Sequence, residues 1–99
     1  SAVPAAPVKR DPSKPVDEQK FTASMKIAEK AEKENNSAVA LMNYWRAVDA
    51  WPESVDAYAG LVRTYLARGD KASAQKAYET ARKYGFKESG ELEKKLYGE

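Results

Sequence analysis

Between Tyr58 and Ala81 the chain reads YAGLVRTYLARGDKASAQKAYETA, and the spacing of its aromatic and small residues decides the fold. Tyr58, Leu61, Val62 and Tyr65 fall on one face of a helix. After Gly69-Asp70 an apolar face resumes through Ala74, Ala77, Tyr78 and Ala81. The pattern predicts two antiparallel amphipathic helices joined by a tight turn that stops one helix and starts the next. The same features stand 34 residues earlier: Ala40, Tyr44 and Ala47 match Ala74, Tyr78 and Ala81, and Asn35-Asn36 matches Gly69-Asp70. Ile27 and Ala31 match Leu61 and Tyr65 in the same way. A period of this length marks stacked helical units that bury their core between neighbours and leave a broad surface for holding other molecules.

Working outward, Asp17 is placed to cap a first helix, with Val16 and Phe21 at the spacing of a hydrophobic staple. Phe21, Ser24, Met25, Ala28 and Ala31 then share one face. A second helix is expected from about Ser37 to Ala50, ending before Pro52. Ser54 caps a third, a fourth runs from about Lys71 to Tyr84 with Gly85 as its terminator, and a short amphipathic helix from Ser89 to Tyr97 carries Leu92 and Leu96. The fold class is all-α, built from antiparallel helix-turn-helix units.

Within 99 residues there is room for one small domain, and 42% hydrophobic against 32% charged residues is a globular balance. Seventeen Lys+Arg against fifteen Asp+Glu leave a net charge of +2, with the signs interleaved, so nucleic acid is not an expected partner. No apolar run is long enough to insert in a membrane. The chain has neither cysteine nor histidine, which removes disulfides, thiolate metal sites and the commonest general base. The carboxylates do not pair for acid/base work, the glycines are scattered and no oxygen ligands cluster. Neither catalysis nor a cofactor or metal is expected.

The residues resemble the tetratricopeptide repeat family. Tyr58, Leu61, Val62 and Tyr65 follow its first-helix pattern, with Val62 where the family has glycine, and Ala74, Tyr78 and Ala81 follow its second-helix pattern. Residues 21–54 form a first unit whose second helix fits through Ala40, Tyr44, Ala47 and Pro52. Its first helix departs from the pattern at Ser24 and Ala31. Residues 55–88 form the second unit, with Phe86 in place of the closing proline, and residues 89–97 a capping helix. The resemblance implies a short right-handed α-solenoid spanning residues 17–99 and a protein-protein interaction adaptor that receives a peptide in its concave groove. Residues 1–16, rich in proline and alanine, read as a disordered tether. A proline-rich start before a small helical domain also resembles tethered cell-envelope repeat proteins of bacteria.

Projected onto this chain, the groove would carry Met25, Lys26, Glu29 and Lys33 from the first unit, Ala59, Arg63 and Leu66 from the second, and Lys94 from the capping helix. Lys26, Arg63 and Lys94 could form a positive stripe for an acidic peptide, or simply a solvated face. Met25, Glu29 and Gly60 occupy places where some relatives use lysine and asparagine to clamp a peptide carboxylate, so that clamp is not expected. Trp45, Trp51 and Tyr97 read either as packing along neighbouring helices or as exposed aromatics for a partner. The rival reading is a self-assembling structural module or part of a longer array, since two repeats fall below the roughly three that stand comfortably alone.

Overall fold

The computed structural model describes residues 16–87 and 90–98. Within them run five helices: α1 Glu18–Lys33, α2 Ser37–Ala50, α3 Val55–Ala67, α4 Lys71–Lys83 and α5 Gly90–Tyr97. The expected tether lies outside the described residues except for Val16, which is half-buried. Ser89, the expected start of the last helix, also lies outside them.

Four side chains set where helices begin, because the first N–H groups of a helix have no partner in the helix itself. Asp17 Oδ1 accepts from Lys20 N–H at 3.0 Å, Asn36 Oδ1 from Val39 at 3.3 Å, Ser54 Oγ from Ala57 at 3.4 Å and Asp70 Oδ1 from Ser73 at 3.1 Å. Helix ends follow an equally local rule. Asn35 and Gly69, one period apart, turn the chain through the left-handed region at φ 60° and 77°. The next N–H then reaches back: Asn36 donates to the Ala31 carbonyl at 2.8 Å and Asp70 to that of Tyr65 at 2.9 Å. α1 and α3 consequently end, and α2 and α4 begin, 34 residues apart.

The helices stack in chain order, α1 against α2, α2 against α3 and α3 against α4, with α5 resting more lightly on α4. Small residues mark the close approaches: Ala28, Ala40, Ala47, Ala57, Ala74 and Ala81 are fully buried. Tyr44, Tyr58, Leu61 and Leu96 fill the wedges between them. The tightest contact is Gly60 of α3 under the ring of Tyr44 of α2, where an added Cβ would fall well inside van der Waals distance of Tyr44 Cε1 and Cζ. One match of the period does not carry over to burial. Leu61 is fully buried, whereas Ile27 is 48% exposed. α3 lies between α2 and α4, while α1 packs chiefly on α2 and weakly on α3.

Candidate protein-binding face

Glu32, which the sequence did not single out, joins the first three helices. Standing on the last turn of α1, it accepts from Arg63 of α3 through two parallel bonds, Nε to Oε2 at 2.8 Å and Nη2 to Oε1 at 3.2 Å. Tyr44 of α2 completes the group, its hydroxyl donating to Glu32 Oε1 at 2.5 Å and accepting from Arg63 Nη2 at 3.3 Å. A bidentate arginine-carboxylate pair fixes direction as well as distance.

The charges of the trio reinforce one another. Burial pushes the Glu32 carboxyl up, but the hydrogen bonds from Arg63 and Tyr44 and the guanidinium charge outweigh it and hold it below its usual value. Burial and the neighbouring Glu32 carboxylate push the Tyr44 hydroxyl well up. Arg63 is raised further, first by its hydrogen bond to Glu32, against the opposing effect of burial. At neutral pH the trio is therefore a carboxylate, a guanidinium and a neutral phenol. Its arginine side chain is still 51% exposed.

The tyrosine one period on, Tyr78, also meets a glutamate and an arginine, though from different places in the stack. Tyr78 of α4 donates to Glu93 Oε2 of α5 at 2.6 Å, and Arg82 stands 3.9 Å from the same oxygen. The hydrogen bond to Glu93, then burial, pushes the Tyr78 hydroxyl up to about 12. Gln75 Nε2 also donates to the Leu96 carbonyl at 2.6 Å, so α5 is held to α4 by polar contacts around the buried Leu96.

Met25 and Ala59, at matching positions of α1 and α3, are buried, and Leu66 is half-buried. Lys26, Glu29, Lys33 and Lys94 are exposed, Lys26 beside Glu18, Gln19, Thr22 and Ala23 in a shallow open depression along α1. The stripe expected from Lys26, Arg63 and Lys94 is thus not a row of three free cations, because Arg63 is taken up by Glu32. A pocket of about 110 Å³ opens beside the trio, lined by Glu32, Asn35, Ser37, Thr64 and Ala67. Among the described residues no group of His, Cys, Asp and Glu is arranged to hold a metal ion. No described helix is long and apolar enough to cross a membrane.

The aromatics divide. Trp45 lies between the repeats: its Nε1 donates to the Tyr65 hydroxyl at 3.2 Å and its ring meets Tyr58 edge-on at 6.1 Å between centroids. Of the two readings open for Trp45, packing along a neighbouring helix describes this half-buried position. Trp51 is 39% exposed, with one edge against Phe21. Tyr97 is also exposed, and its hydroxyl bonds Glu79 Oε2 at 3.3 Å. The sequence carried no signal for the Glu32–Arg63 pair, whose partners stand 31 residues apart on different helices. Only the identification of their faces could have brought the two together.

A stack of helix-turn-helix units whose first helices share an exposed, ion-paired face is the architecture of a helical-repeat binding module. A tetratricopeptide repeat family model matches residues 30–92, more than half of the chain, and the chain belongs to that family. Comparison with curated proteins and with solved structures returned no match. Membership makes a protein-protein interaction module the function class of this chain.

Proposed function

We propose that the chain is a non-enzymatic adaptor that receives an extended peptide along the face shared by α1, α3 and α5. The observation that carries this reading is the state of Arg63, half-exposed yet fixed by Glu32 and Tyr44 one helical turn beyond the buried Ala59, whose counterpart on α1 is the buried Met25. Preorganised polar groups next to an apolar floor favour binding, because little side-chain freedom remains to be lost. The half-buried carboxylate of Glu32 neutralises Arg63, the cation nearest the centre of this face, while Glu29 stands exposed on α1 among Lys26 and Lys33. The face therefore suits a mainly uncharged segment that hydrogen-bonds at its rim. Panning a random-peptide library against the wild-type domain tests this. Enriched peptides should lose binding to Ala59→Arg and to Leu66→Asp while both variants keep wild-type circular dichroism; peptides that bind all three proteins equally would contradict it.

The exposure of Ile27 favours a second reading, in which another helix covers the outer side of α1 as part of self-assembly or of a longer array. Sedimentation equilibrium over a hundredfold concentration range separates the readings. A monomer throughout removes self-assembly, and a dimer abolished by Ile27→Lys supports it.

A further inference from the structure

Resting on the reading of the α1–α3–α5 face as the binding surface, we infer that Glu32 is its charge-selectivity residue: it occupies Arg63 as an internal counter-ion and so excludes acidic segments. A guanidinium can grip a carboxylate in a bidentate way along its Nε–Nη side or across its two Nη nitrogens. Glu32 takes the first mode outright, through Nε and Nη2. The remaining Nη2 hydrogen is directed to the Tyr44 hydroxyl, which breaks up the second. An incoming carboxylate is left with Nη1 alone, and at that point it also faces the Glu32 charge across the same guanidinium. Like charges brought together at an interface are penalised even where each is attracted to a shared cation.

The arrangement is built in rather than incidental. Glu32 is more buried than its partner, its side chain 27% exposed against 51% for Arg63. Its second bond comes from a fully buried tyrosine that Gly60 lets approach closely. Swinging Glu32 aside for a ligand would break contacts to two helices at once. Because those contacts also hold its carboxyl below the usual glutamate range, mild acidification does not release Arg63.

The test uses a fluorescein-labelled hexaglutamate peptide and its hexaglutamine counterpart, followed by fluorescence anisotropy at fixed moderate salt. Glu32→Gln keeps an acceptor for Tyr44 while removing the charge. It should bind hexaglutamate at least tenfold more tightly than wild type. Glu34→Gln, which removes the same charge from an exposed position two residues on, should gain less than threefold. Adding Arg63→Gln to Glu32→Gln should return hexaglutamate binding to the wild-type level, and hexaglutamine binding should be equal in wild type and Glu32→Gln. An unchanged hexaglutamate affinity in Glu32→Gln overturns the inference, as does an equal gain in Glu34→Gln or a gain that survives loss of Arg63. Circular dichroism melts, with Glu32→Ala as a second variant, separate altered binding from unfolding. The adaptor reading fails separately, if uncharged library peptides ignore Ala59→Arg and Leu66→Asp.

Discussion

Gly60 has no room for a side chain, and the reason lies one helix away. The Tyr44 ring above it is fully buried, and its hydroxyl is tied to Glu32 and Arg63, so the ring cannot swing aside for a methyl group. Alanine is a better helix former than glycine by about 1 kcal/mol. Forcing an extra carbon into a packed contact costs about 1–3 kcal/mol. Gly60→Ala should therefore lower stability, by up to roughly 2 kcal/mol in urea melts, since the clash lies at the severe end of such contacts. A variant as stable as wild type would mean that the ring has room to move. The Glu32 trio adds a pH dependence. Its folded carboxyl titrates below the unfolded value near 4.5, so its contribution is complete above that value and fades as the pH falls through the lower folded one. Glu32→Gln should be less stable than wild type by about 1 kcal/mol at pH 7, a modest figure because Arg63 is half-exposed and screened. The gap should persist to pH 5 and shrink as the pH is taken below 4.5. A gap that widens in acid would contradict the assignment.

Helix boundaries were largely legible in the sequence because they are set by local chemistry. Asp17, Asn36, Ser54 and Asp70 each satisfy an N–H three residues on, and Asn35, Gly69 and Gly85 each take the positive φ of a helix stop. The inward faces were legible through the 34-residue period, which carries Ala40, Tyr44 and Ala47 into the core alongside Ala74, Tyr78 and Ala81. What the period could not supply is the identity of each helix's neighbour. It equates Ile27 with Leu61 although only Leu61 has helices on both sides. Likewise, the position of Trp45 does not reveal that Tyr65 waits to accept its N–H. Pairings across helices, such as Glu32 with Arg63, depend on rotamers and lean that no one-dimensional pattern encodes. α5 illustrates another consequence of its place in the stack. It packs lightly on α4, around the fully buried Leu96 and the Gln75 and Tyr78 contacts. Truncating a buried leucine costs roughly 2–5 kcal/mol in a cooperative core, but here the loss is limited to the free energy of docking one terminal helix. Leu96→Ala should thus abolish hydrogen-exchange protection in α5 while α2 and α3 amides keep theirs; uniform loss through all helices would show that α5 folds as one unit with the rest.

Taken as a whole molecule, the chain has two kinds of exposed surface. Between α1 and α3, Arg63 is locked in place by Glu32, whereas the outer sides carry Ile27, Met42 and Trp51 with substantial exposure. The adaptor account assigns recognition to the first surface. The measurement that decides most directly is an amide ¹H–¹⁵N titration of the labelled domain with the most enriched library peptide. Shifts concentrated at Met25, Glu29, Ala59, Arg63 and Leu66, and absent around Met42 and Trp51, are the predicted result. Shifts centred on Ile27, Met42 or Trp51 with the α3 amides unmoved would contradict the account and move recognition to the outer side of the stack.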